Sequence, residues 1–298
     1  MADTSGDQGR LRGEIPDRSD FESECYFALE PNPARLEQAA RSAGRHTRLT
    51  HRLAEMTWPG VAEAVKAGAT TVVLPLGATE QHGLHLPLGT DTIRATALAD
   101  RLAERLPGSL VAPALPFGCS DEHSGFPGLL GLDTETLARV VLDLARRLTG
   151  WGVRRLVLLS AHGGNGEALD LALTLLRQEL PDLEVRTNDH LETIAQPILE
   201  VARRDGISAN ALGLHAGEGE TSEMLYLRPD LVHLDDSAPG FTGDMEAVLD
   251  ELRKGGLRAV TEDGVLGDPT RAEAGRGARY LDVLTDDLTE LTRDADGD

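Results

Sequence analysis

Residues 155–166 read RLVLLSAHGGNG, and this stretch decides the fold. Its first half, from Arg155 to Ser160, is a short and nearly continuous apolar run. An alternating run would leave one face wet; a continuous one needs apolar partners on both faces, as a strand has inside a parallel sheet covered by helices. Its second half turns polar at once, with His162 followed by Gly163, Gly164, Asn165 and Gly166. In open α/β sheets that position, outside the carboxyl end of a strand, is where ligands bind.

The same pattern recurs on both sides. Residues 70–76 (TTVVLPL) form a second buried strand, and 110–115 and 183–187 read as two more. Between them, residues 92–106, 134–149 and 167–179 have helical periodicity; the second ends at Gly150 and the third stops before Pro181. A further helix opens at Glu220 and runs to Leu227. Short strands alternating with longer helices imply a mostly parallel central sheet in a three-layer α/β/α sandwich. This reading assigns residues 49–298 to one domain. Residues 1–48 form an acidic, polar N-terminal extension interrupted by Pro31 and Pro33, expected to be partly disordered with a short helix near 33–43.

Composition narrows the function classes. Asp and Glu number 50 against 29 Lys and Arg, a formal net charge of −21. Such a surface repels phosphate backbones, so nucleic acid is not an expected partner. Lys66 and Lys254 are the only lysines, and acid excess with few lysines suggests adaptation to high salt. No apolar run approaches the roughly 18 residues of a membrane helix. The opening MADTSGDQGR lacks the basic and apolar regions of a secretory signal, so a cytoplasmic protein without membrane attachment is expected. Cys25 and Cys119 are too few for a disulfide framework, and Cys119 reads as a small buried filler.

The ionisable residues gather at the strand ends. After the first strand come Glu80, His82, His85 and Asp91; after the second come Ser120, Asp121, Glu122 and His123. His162 follows the third, Asp189 and His190 the fourth, and His215, Glu218 and Glu220 come later. Glu80 and His82 are two apart, so an extended segment points both to one side. Asp91 can bridge two cations. Imidazole and carboxylate donors suit zinc or manganese, and two such ions polarise a carbonyl and hold a hydroxide without a Ser or Cys nucleophile. Gly163 and Gly164 leave room for close approach beside His162. The residues alone do not rank Glu218 against Glu220. The glycines before a helix also admit a phosphate-binding turn, although the G-x-G-x-x-G spacing is missing.

Five motifs in matching order resemble the creatininase (creatinine amidohydrolase) family across about residues 49–290. They are LPLGATEQHG with LPLGTD (74–83 and 86–91), EHSGFPG (122–128), SAHGGN (160–165), HAGEGETS (215–222) and GVLGDP (264–269). The resemblance implies a binuclear site for two divalent ions, zinc or manganese with iron a third candidate, and often a homohexamer. It assigns Glu80 and His162 to one metal, His82 and Glu220 to the other, and Asp91 to both. It makes His215 the proton donor to the leaving nitrogen, or a substrate-orienting residue, with Asp91 also catalytic. Ser120, His123, Gly163 and Asn165 then contact substrate.

Two departures bear on substrate. Creatininase carries Tyr-Glu where this chain has Gly163-Gly164, and a Trp shortly before the residue equivalent to His215, where this chain has none. In motif detail the chain is most similar to the mycofactocin-system creatininase-like peptidases. The expected activity is therefore hydrolysis of an amide-type C–N bond in a small amide or short peptide. The alternatives are trimming of a short peptide, deformylation of a formamide, and a module that only binds metal.

Overall fold

The computed structural model describes residues 50–188 and 191–293. The N-terminal extension with its short helix near 33–43, and the strand-end residues Asp189 and His190, lie outside the described residues. Four parallel strands, β1 (Thr71–Leu76), β2 (Ser109–Val111), β3 (Arg155–Ser160) and β4 (Glu184–Thr187), form a sheet of order β2-β1-β3-β4. The helices that matter below are α1 (Trp58–Lys66), α2 (Thr90–Arg105), α3 (Thr134–Gly150), α4 (Gly166–Glu179), α5 (Leu191–Arg204), α6 (Glu218–Leu227), α7 (Met245–Gly255) and α8 (Ala274–Thr292).

Side-chain alternation along the strands explains the layers. Val72, Leu74, Leu76, Leu156 and Leu158 pack with Leu137, Val141 and Leu148 of α3 and Leu169 and Leu176 of α4. Val73, Val157 and Leu159 point the other way, onto Leu98 and Leu102 of α2 and Leu281, Leu284 and Leu288 of α8. Both faces of the two central strands are dry, which is why their sequences read as unbroken apolar runs. The result is the expected three-layer α/β/α arrangement.

The second strand is shorter than its sequence suggests. It ends at Val111 instead of reaching Leu115, because the register slips: the Ala112 N–H donates to Val73 O, but the next donor to β1, at Pro75 O, is Leu115, so three residues oppose two. Beyond it the chain touches β1 through Leu115, whose N–H donates to the Pro75 carbonyl at 2.9 Å. Parallel pairing aligns a residue's N–H and C=O to one side, so the missing N–H of Pro75 also faces this irregular segment and no ladder bond is lost. Thr71 pairs with Arg155 and Leu76 with Ser160, so β1 and β3 end level. That register sets their following loops side by side. Among the described residues no helix is long and apolar enough to cross a membrane.

Candidate metal centre

Three strand-end loops and the starts of two helices converge beyond the level ends of β1 and β3. Glu80 and His82 leave β1 on an extended segment, and both are fully buried. Asp91 sits in the first turn of α2, 1% exposed. His162 follows β3, His123 closes a short turn at Asp121–His123, and His215 and Glu220 flank the start of α6.

The two oxygens of Asp91 face different imidazoles. Oδ1 lies 3.2 Å from His82 Nε2, and Oδ2 lies 3.4 Å from His162 Nδ1. Glu80 divides likewise: Oε2 is 3.3 Å from His162 Nε2, while Oε1 is 3.0 Å from His123 Nε2 and 3.8 Å from His215 Nδ1. Glu220 Oε2 lies 3.7 Å from His82 Nε2. Three groups of donors are each close enough to grip one ion: Glu80, Asp91 and His162; His82, His215 and Glu220; and Glu80, His123 and His215.

The carboxylates are poorly served by the protein itself. Both oxygens of Glu80 and Oδ2 of Asp91 are buried without an aligned hydrogen-bond donor among the described residues. An anion in that state is strongly disfavoured unless a cation neutralises it. The imidazoles report the same field. Burial opposes charge on His82 and His162, yet Asp91, Glu220 and Glu80 raise His82 to about 9, and Glu80 and Asp91 raise His162 to about 10. Asp91 is held well below the usual carboxylate range, against burial, by His82 and His162. Away from this pair burial wins. It lowers His123 to about 3, only partly opposed by Glu122, and with His82 and His123 it lowers His215 to about 3.

Hydrogen bonds outside the cluster orient its members. His82 Nδ1–H donates to the Glu80 carbonyl at 3.3 Å, which turns Nε2 towards Asp91 and Glu220. His215 Nε2–H donates to the Gln81 carbonyl at 2.8 Å, leaving Nδ1 as the acceptor that faces Glu80. Gln81 Oε1 accepts from the Gly83 N–H at 2.8 Å, so its amide nitrogen is turned to His123 Nδ1 at 3.2 Å. Gln81 is a contact that sequence reasoning passed over, although it stands between two singled-out residues. So is Arg94, three residues after Asp91 and therefore on the same face of α2, with Nη1 2.6 Å from Glu220 Oε1.

The remaining candidates take different places around the cluster. Glu218, left level with Glu220 by the sequence, is fully buried and engaged by Ser222 Oγ at 2.6 Å, Tyr280 Oη at 2.7 Å and Arg276. It pins the start of α6 to α8, away from the cluster. Asn165, expected to touch substrate, is also fully buried. Its Oδ1 accepts from the Cys119 N–H at 3.0 Å and its Nδ2 donates to Gly77 O and Ser160 Oγ, so it braces loops behind the site. Ser120 Oγ, 3.3 Å from His162 Nε2, and His123 are buried against the cluster too, whereas Gly163 is exposed. The carbonyl of Cys119 lies 2.8 Å from His162 Nε2, and its thiol side packs against the first core, as a filler would.

Gly164 has a steric reason to be glycine. A Cβ there would overlap the Cys119 carbonyl oxygen and lie 2.8 Å from Glu122 Oε1. That carboxylate, 33% exposed, stands 3.9 Å from both His123 Nε2 and His162 Nε2. The space that a side chain at 164 would take is thus filled from the loop after β2. Sequence reading quoted Glu122 within a motif and gave it no role; the Gly164 position was the available signal.

Residues 54–292 match the family model described as creatinine amidohydrolase (creatininase). A mycofactocin precursor peptide peptidase of Mycobacterium ulcerans is 36% identical over 239 residues, covering 78% of this chain and 83% of that protein. A creatinine amidohydrolase of Pseudomonas putida is 39% identical over 192 residues, covering 61% of this chain and 73% of the other. The crystal structure of a creatinine amidohydrolase superposes with a TM-score of 0.68 at 31% identity, covering 82% of this chain and 99% of that one. Similar solved creatininases include a manganese form and a mutant of zinc–zinc type. These likenesses span the sheet, its covering helices and every loop of the cluster, and the chain belongs to the creatininase family of hydrolases acting on C–N bonds.

Proposed function

We propose that this chain is a two-metal amidohydrolase whose substrate is a short peptide. The metal half of the reading is carried by one observation, the buried carboxylate oxygens of Glu80 and Asp91 that lack donors while facing imidazoles. Glu80, Asp91 and His162 would hold one ion, and His82, Asp91 and Glu220 the other, with Asp91 offering one oxygen to each side. Imidazole and carboxylate donors suit zinc or manganese, and iron is compatible. Bound there, divalent ions polarise a carbonyl oxygen and bring the pKa of water to about 7.

The protein's own groups do the rest. His215 is anchored through Nε2 and presents the Nδ1 lone pair beside the carboxylates, where it would take a proton from the attacking water and pass it to the leaving nitrogen. Glu122, partly exposed, and the bare backbone at Gly163 form the open rim against which substrate lies.

Two observations support a peptide over a flat ring such as creatinine. Of the two sequence relatives named above, the one that matches over more of both chains is a peptide peptidase. Neither Trp stands at the site: Trp58 is exposed on α1 and Trp151 packs on the first core, so a planar ring finds no aromatic wall among the described site residues. The test pairs metal analysis with a substrate panel. Wild-type protein is expected to hold about two divalent ions per chain and to cleave short peptides faster than creatinine, and Asp91→Ala to lose both metal and turnover. Turnover surviving in metal-free Asp91→Ala would sink the reading; creatinine outpacing every peptide would overturn its substrate half.

A further inference from the structure

Glu220 is gripped at both oxygens by groups that nothing so far has given a task. On one side, Arg94 Nη1 donates to Oε1 at 2.6 Å. On the other, the Ala216 N–H donates to Oε2 at 2.7 Å. Two donors on opposite oxygens fix the plane of the carboxylate and direct Oε2 towards His82.

Both donors are held in place at a cost. Ala216 has φ +50°, the only positive φ of a non-glycine among the described residues, and it is fully buried. An L-residue in the left-handed region is disfavoured by roughly 1–2 kcal/mol, and such outliers persist where the surroundings enforce them. Here the turn aims the Ala216 N–H at Glu220. Arg94, in turn, is trapped from several directions. Its Nε donates to Glu223 Oε2 at 2.7 Å, its Nη1 also donates to the Ala161 carbonyl at 3.2 Å, and Nη1 stands 3.8 Å from Asp91 Oδ1. Glu223 is 1% exposed and its Oε1 has no partner among the described residues. A carboxylate buried with one oxygen idle is an expensive element unless it anchors something, and among the described residues its ionic partner is Arg94.

We propose that Arg94 is a positioning residue for the metal centre. Together with the strained Ala216 amide it presets Glu220 to receive an ion beside His82, and Glu223 fixes the guanidinium that does so. The fork geometry matters as well as the charge. A guanidinium can serve Glu223 through Nε and Glu220 through Nη1 at once, whereas a lysine ammonium has a single point to offer. The cation also partly offsets Asp91, Glu220 and Glu223, leaving the group anionic enough for divalent ions. This inference rests on the two-metal reading.

The test is metal binding by full-length protein, stripped with chelator and titrated with Zn²⁺ or Mn²⁺ against a competing chelator. Wild type, Arg94→Met, Arg94→Lys and Glu223→Gln are compared, with the melting temperature of each stripped protein as a fold control. Outer partners of metal ligands typically tune affinity by about 10–100-fold. Arg94→Met is expected to weaken one of the two equivalents by that factor and leave the other near wild type. Arg94→Lys should recover part of the loss, and Glu223→Gln should show a smaller one. Unchanged affinity in Arg94→Met, or lower melting temperatures with wild-type affinity in the Lys and Gln variants, would overturn the inference while leaving two metals standing. If wild type binds only one equivalent, the two-metal reading falls, and Arg94 is judged by whether that equivalent weakens. Wild type that takes up no metal overturns both.

Discussion

His85 sits one step behind the cluster and shows what burial does to a single side chain there. It is 1% exposed, and its Nε2 lies 2.9 Å from Thr221 Oγ1. Burial, with His82 adding to it, lowers its pKa to about 4. Native His85 therefore refuses a proton that the unfolded chain accepts near pH 6.5. Its contribution to stability is complete above pH 6.5 and is lost as pH falls towards 4, with a limiting slope of about 1.4 kcal/mol per pH unit. Thermal melts between pH 7.5 and 4.5 should fall more steeply for wild type than for His85→Asn; equal slopes would remove His85 from the acid response. At this scale the sequence was informative where chemistry follows residue type. Glu80, His82, Asp91, His162, His215 and Glu220 were singled out, and the structure brings all six together. Neighbours chosen by tertiary approach were hidden: Arg94 and Glu223 meet across α2 and α6, and Glu122 meets Gly164 only once β2 and β3 are placed.

The elements carry the site by close approach of backbones. α8 crosses the first turns of α6 at Gly277, where a Cβ would overlap the Ser222 carbonyl oxygen and lie 2.6 Å from the Glu223 nitrogen. Beside it, Arg276 and Tyr280 reach Glu218, and the Glu273 N–H donates to Ser222 Oγ at 2.9 Å. Gly277→Ala raises helix propensity by about 1 kcal/mol in isolation, yet here it drives backbone into backbone, and overpacking costs typically 1–3 kcal/mol or more. The expected net outcome is a melting temperature lower by roughly 5 °C, from about 2–4 °C per kcal/mol at this size, with weaker metal binding as Glu220 shifts. A melting temperature at or above wild type would show that the helices can separate freely. The same crossing explains which elements the sequence revealed. β1 and β3 are buried on both faces and stand out as apolar runs. α8 was not marked as a helix, since Gly275, Gly277 and its many Thr and Asp residues are poor helix formers. Packing against α6 and the sheet overrides that local preference. β2 ended early because its pairing slips by one residue between Ala112 and Leu115, a register change that apolar patterning does not reveal.

For the molecule as a whole the dominant feature is its surplus of 50 acidic over 29 basic residues. Opposing contributions depend on salt in opposite senses. Ion pairs such as Arg139–Glu135, with both side chains 67% exposed, contribute little, and screening removes little. The unpaired acids repel one another, and this repulsion destabilises the compact state more than the expanded one. Raising chloride from 0.1 M to 1 M shortens the screening length from about 10 Å to about 3 Å, below the spacing of most surface acids. The repulsive term is then largely extinguished, while buried pairs such as Arg94–Glu223 are shielded from solvent and keep their strength. The melting temperature should therefore climb across this range. Replacing a few exposed acids with lysine should flatten the climb, since each such change removes two units of the surplus. A melting temperature that fell with salt would mean that the exposed ion pairs outweigh the acid surplus, and the high-salt interpretation of the composition would be withdrawn.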